Sequence, residues 1–174
     1  MKEKRTNLML LGVSLASFGI MSVSFLLMPV EQLGVFPGLL FWLGLVLGVA
    51  MQIVLENKRK AFFAKYNVKN TKKQRPRNGL LTFGANKVAL VVDCIMAVAF
   101  IATILAFVIT KGVGYLCYVC LAILVWSFCG HCILNGRNYF HILNEEKIRQ
   151  ALENKKESTN KKEREKYGKD KFSR

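Results

Sequence analysis

Residues 88–134 read VALVVDCIMAVAFIATILAFVITKGVGYLCYVCLAILVWSFCGHCIL, and the formal charges in this stretch are confined to Asp93 and Lys111. Two apolar runs, 88–110 and 113–134, flank the dipeptide Lys111-Gly112. At about 1.5 Å of rise per residue, a helix over either run spans about 30 Å, the thickness of a bilayer hydrocarbon core. Backbone groups in lipid are satisfied only in helices or closed barrels, and neither run shows the two-residue alternation of a barrel strand. The stretch therefore predicts two transmembrane helices joined by a tight turn.

Working outward, the same pattern recurs toward the N-terminus. Residues 8–30 and 35–55 are apolar, of similar length, and separated by the four residues 31–34. The expected fold class is an all-α membrane protein with four transmembrane helices. The domain plan is an N-terminal segment 1–7, spans 8–30, 35–55, 88–110 and 113–134, a loop 56–87 and a tail 135–174.

Orientation is carried by the bases. Of 26 Lys and Arg residues, all but Lys111 lie in segments 1–7, 56–87 and 135–174. The positive-inside rule then predicts two outward hairpins, with both termini and the central loop cytoplasmic. The localisation expected is the cytoplasmic membrane of a bacterium. Lys2 to Arg5 and the triplet Ser14-Leu15-Ala16 also suit a cleaved leader. The apolar run, however, continues unbroken past Ala16 to Val30, longer than a signal h-region of about 7 to 15 residues.

The central loop begins as an apparent helical extension with Ala61, Phe62, Phe63 and Tyr66, aromatics suited to an interface. Residues 67–77, rich in Asn, Lys and Gln and containing Pro76, break any period before an Asn78-Gly79 turn. Leu80, Leu81 and Phe83 are apolar enough to enter the headgroup region, and Asn86 is placed to cap the third span. In the tail, Phe140, Leu143, Ile148, Ala151 and Leu152 fall at near-helical spacing, so residues 137–152 predict an amphipathic helix on the membrane or a continuation of the fourth span. From Glu153 onward almost nothing is apolar, which predicts a solvated helix or partial disorder.

The net charge of +15 is accounted for by topogenic residues resting on anionic lipid headgroups, each contributing about 1 kcal/mol near the surface. No zinc-finger, helix-turn-helix or RNA-binding aromatic signature accompanies the bases, so no nucleic acid is expected as a partner. A homo-oligomer or a membrane partner protein is. No soluble enzyme domain fits in what remains of the chain, and no cofactor is expected.

Inside the spans, Asp93 and His131 are the non-cysteine groups that titrate nearest neutrality. Asp93 lies five residues into the third span and His131 four residues before Asn135. Counting outward from Lys111-Gly112 puts them level, about 6 to 8 Å inside the cytoplasmic boundary. Two readings follow: a proton relay or substrate-binding pair of a small transporter, or a structural hydrogen bond favoured by the dipoles of the two helices.

The cysteines invite a metal reading. Cys117, Cys120, Cys129 and Cys132 form two C-x2-C pairs, but on one helix the pairs are about 18 Å apart. All four sulfurs of a zinc site lie about 2.3 Å from the metal, so no metal is expected. Cys129-Gly130-His131-Cys132 resembles the active-site tetrapeptide of protein disulfide isomerases, which implies thiol–disulfide exchange on a thioredoxin fold. Here it sits at the cytoplasmic end of an apolar span with no βαβ pattern nearby. Cys117-Tyr118-Val119-Cys120 is similar to the quinone-facing pair of vitamin K epoxide reductases and related disulfide-forming membrane oxidases. That resemblance implies electron transfer from thiols to quinone, relayed by a second pair in an outer loop. The predicted outer segments 31–34 and 111–112 contain no cysteine.

Small residues indicate where helices approach. Gly44 and Gly48 form a G-x-x-x-G pair, Gly12, Ala16 and Gly19 share one side of the first span, and Ala102 and Ala106 one side of the third. Ser14, Ser17 and Ser24 are spaced to bond to another helix or to line a polar path. The functional expectation is an accessory or scaffolding protein. Its alternatives are a small oligomeric transporter or channel subunit using Asp93 and His131, and a membrane thiol oxidoreductase using Cys117 and Cys120.

Overall fold

The structure, a computed structural model, describes residues 2–66 and 79–172. Residues 67–77 and Asn78 of the predicted loop lie outside the described residues. Among those described, the regular elements are helical: α1 (Lys2–Leu27), a 3-10 turn (Glu31–Leu33), α2 (Phe36–Lys65), α3 (Lys87–Ile109), α4 (Tyr115–Leu134) and α5 (Arg137–Phe172). Helices α1, α2, α3 and α4 are long and apolar enough to cross a membrane, and the chain is a multi-pass membrane protein by that measure.

Helix ends follow local chemistry. α1 stops at Leu27, two residues before Pro29, because the residue preceding a proline is driven out of the helical region. α2 runs on to Lys65, ten residues past the apolar run, and includes the aromatic extension. Asn86 caps α3, its side chain accepting from the Ala89 amide at 2.9 Å. α3 ends with Lys111 in the left-handed region at φ 50°. The Gly112 amide then bonds the Phe107 carbonyl at 3.2 Å and the Lys111 amide the Val108 carbonyl at 3.3 Å. This is the Schellman pattern of orphan-carbonyl satisfaction. α4 and α5 are interrupted at Asn135 and Gly136, so the tail is a separate helix.

The chain divides into two compact units, Met1–Ile142 and Leu143–Arg174. In the first, α1 packs on α2 and on α4, and α4 packs on α3; α2 and α3 make no comparable contact among the described residues. The buried core gathers Leu11, Phe18, Met21, Leu55, Ile133, Tyr139 and Ile142. Large apolar side chains on α2 and α3, including Trp42, Val46, Val98 and Ile109, stay exposed, as expected where the solvent is lipid. The second unit continues α5, with Arg149 bridging to Glu145 at 3.1 Å across one turn. The tail's apolar stripe divides: Phe140 and Leu143 are exposed, while Tyr139, His141 and Ile142 are buried.

The G-x-x-x-G pair forms the α1–α2 contact. A Cβ on Gly44 would stand 2.5 Å from both the Met21 amide nitrogen and the Ser17 carbonyl oxygen, and one on Gly48 2.7 Å from the Phe18 ring. Glycine is required at 44 because the backbones touch, and at 48 it leaves room for the Phe18 ring. Of the three serines, Ser14 bonds across to the Gly48 carbonyl at 3.1 Å, whereas Ser17 and Ser24 donate to carbonyls of their own helix, Val13 and Met21. Gly12 is open, with nothing within 4 Å of a built Cβ. Gly44→Ala should therefore destabilise the protein in detergent by about 1–3 kcal/mol, the range of overpacking, and Gly12→Ala should leave the melting temperature unchanged; equal effects would contradict this packing.

Candidate polar site at the ends of α3 and α4

Two ionisable side chains meet between α3 and α4. His131 Nδ1 is 2.6 Å from Asp93 Oδ1, and the residues are 1% and 8% exposed. Asn135, one turn beyond His131 on α4 and fully buried, donates from Nδ2 to the same Asp93 oxygen at 3.0 Å. Its remaining amide proton reaches the His131 carbonyl at 3.1 Å. Since the carboxylate only accepts, Nδ1 of His131 is the donor in the short contact.

The other half of the site comes from the segment preceding α3. Gly84 adopts φ +60°, a left-handed turn that suits glycine. The Gly84 amide donates to Asp93 Oδ2 at 2.7 Å. The next amide, Ala85, donates to Asn135 Oδ1 at 3.0 Å, and the Asn86 amide group reaches the Leu134 carbonyl at 3.3 Å. Phe83 lies against the His131 ring with centroids 4.6 Å apart, and the Leu80 carbonyl is 3.4 Å from His131 Nε2. Gly79 passes so close to the Cys132 carbonyl that no Cβ fits. Leu80 and Phe83, read from sequence as headgroup contacts, thus also cover the polar pair.

Sequence reasoning singled out Asp93 and His131 but not Asn135, Gly84 or Ala85. His131-x3-Asn135 is an i, i+4 pair that puts an amide on the imidazole's face of α4, a legible signal. The backbone amides carry no sequence signature beyond a glycine two residues before a capping asparagine.

The cysteines are dispersed. Cys117 is buried near the α3–α4 turn, its sulfur 3.5 Å from both Thr110 Oγ1 and the Gly112 carbonyl, and Cys120 is half-buried; both are unbridged. Cys129 and Cys132 line a cavity of about 500 Å³. Among the described residues, no group of three or more His, Cys, Asp or Glu side chains is arranged to hold a metal ion. Comparison with protein-family models, curated proteins and solved structures finds no match to this chain.

A second histidine lies at the start of α5. His141 is buried against the rings of Phe62 and Phe63, at centroid distances of 4.8 and 5.4 Å, on the extension of α2 beyond its apolar run. Burial pushes its pKa down, the Arg59 charge lowers it further, and Glu3 opposes both. The folded state therefore favours neutral imidazole, and stability present above the ordinary value of about 6.5 is lost as pH falls below it.

Two outcomes follow. Asn135→Ala removes a donor from Asp93 and the acceptor of the Ala85 amide; it should cost about 1–3 kcal/mol and speed hydrogen exchange at Gly84 and Ala85, whereas unchanged exchange would dissociate the segment from the site. The melting temperature should fall from about pH 7 to pH 5, and His141→Phe should flatten that dependence; a slope surviving the substitution would place the titration elsewhere.

Proposed function

We propose that the protein is an accessory or scaffolding component of a bacterial cytoplasmic membrane, built as two outward hairpins with both termini and the basic loop on the cytoplasmic side. The orientation is supported by the confinement of 25 of the 26 bases to segments 1–7, 56–87 and 135–174. On that side, the loop and tail rest on anionic headgroups. The partner is a second copy or another membrane protein, and the exposed apolar faces of α2 and α3 leave room for either beside lipid.

One observation carries the scaffolding reading. Both carboxylate oxygens of Asp93 accept hydrogen bonds from protein donors, and Asn135 uses its oxygen and nitrogen within the same cluster. A carboxylate so occupied is suited to holding α3, α4 and the segment before α3 in one arrangement. A transported proton or cation would have to displace those bonds.

The transporter reading draws on the same pair, since an ionisable couple within spans is a recurrent feature of proton pathways. The two separate experimentally. Under the scaffolding reading, Asp93→Asn and His131→Ala lower folded yield and melting temperature together, and reconstituted protein gives no proton-coupled flux. Variants that accumulate normally yet abolish a wild-type flux would establish the transporter instead.

A further inference from the structure

The first turns of α5 dock on α2 where that helix runs past its apolar stretch. Tyr139, His141 and Ile142 are buried there, and Asn138 donates to Gln52 at 3.4 Å. The His141 ring meets those of Phe62 and Phe63 at interplanar angles of 74° and 58°. Of these docking groups only the imidazole changes charge near neutral pH. Its Nε2 is enclosed and has no hydrogen-bond partner.

That nitrogen decides which form of the ring fits. Neutral imidazole keeps one nitrogen unprotonated, and with the proton on Nδ1 the enclosed Nε2 is a bare acceptor. Imidazolium carries N–H on both nitrogens, so docking it would enclose a charged donor with nothing to receive it, at greater cost than an unmet neutral group. Because Nε2 is sealed while the ring is seated, the proton is taken up by a ring that has already left, and the charge then keeps it out. The surroundings act in the same sense: burial disfavours charge on the ring, Arg59 of α2 adds to this, and Glu3 of α1 opposes both. Arg59 is held by Glu56 through bonds of 2.6 and 3.2 Å. On α5 itself Arg137 and Glu145 stand one turn to either side of His141, and Glu145 is bridged by Arg149 at 3.1 Å.

We propose that His141 is an acid-released latch: the neutral ring, seated on Phe62 and Phe63, holds the first turns of α5 to α2, and protonation of the departed ring prevents its return. α5 opens the segment 137–174, which carries twelve of the bases, so the latch makes the attachment of a basic segment depend on proton concentration. Release takes up at most one proton, so the ratio of released to docked ring is constant above the ordinary imidazole value of about 6.5 and rises by up to about tenfold per pH unit below it. The latch is independent of the choice between scaffold and transporter.

Nuclear magnetic resonance of the full-length protein in lipid nanodiscs, with histidine, phenylalanine and isoleucine labelled, tests this between about pH 7.5 and pH 5. The chain has two histidines, and His131 against Phe83, with centroids 4.6 Å apart, serves as the internal control. As pH falls, His141 should gain its second N–H and lose its contacts to Phe62 and Phe63 together. The Ile142 side chain, 2% exposed when docked, should become open to a water-soluble paramagnetic probe over the same range, while the His131–Phe83 contact persists. His141→Phe, which keeps an aromatic ring but cannot titrate, should leave Ile142 shielded throughout. A charged His141 that keeps its ring contacts, as a cation held on the Phe faces would, would overturn the proposal. So would a ring that stays neutral and docked to pH 5, loss of the His131 and His141 contacts in parallel, or exposure of Ile142 that survives in the folded phenylalanine variant.

Discussion

A carboxylate set two turns into a helix of membrane-spanning length has to find its hydrogen bonds inside the protein, and Asp93 finds three. His131 holds α4 against α3, Asn135 adds a second tie from the same helix, and the Gly84 amide fastens the segment that enters α3. Leaving one of a buried pair without the other costs about 3–5 kcal/mol. This one side chain therefore makes the ends of α3 and α4 and residues 79–86 interdependent. The close passage of Gly79, the left-handed Gly84 and the cap at Asn86 are the local conditions that let the chain reach it.

Elsewhere contact rests on shape. Gly44 and Gly48 bring α2 onto α1, and Trp126 ties α4 to α1 through a 3.3 Å bond to the Leu15 carbonyl. Between helices already in lipid, burial of apolar surface offers little, so close backbone approach and a few polar bonds carry association. α1 and α4 hold the buried serines and the imidazole, while α2 and α3 keep broad apolar faces outward. The division of labour is what a bilayer solvent demands: polar groups turned inward, apolar contact with lipid outside.

Much of this was legible from residue type and spacing. Run length and lack of charge predict the four helices. Lys111-Gly112 and Asn86 predict where α3 stops and starts, although α2 overshoots its apolar run because Lys, Arg and Glu are good helix formers that need no lipid. Counting from Lys111-Gly112 sets Asp93 beside His131, since two helices leaving one tight turn rise equally per residue. Residues 79–86 were not legible in this role: their apolar side chains suit a headgroup layer equally well, and their bonds to Asp93 and Asn135 come from backbone amides, which every residue has. Asn135 was read as a boundary; its side chain matters because α4 ends there facing an acceptor. The tail's helical period was legible but not its facing, for Phe140 is exposed and Tyr139 buried.

The central claim, that Asp93 and His131 act as one structural unit, is tested most directly by a double-mutant cycle. Asp93→Ala, His131→Ala and the double variant would be unfolded reversibly in the same detergent or bilayer. If the two act as one unit, the double variant loses about as much stability as the costlier single one, because the first substitution has already broken the interaction. Losses that simply add would contradict the account.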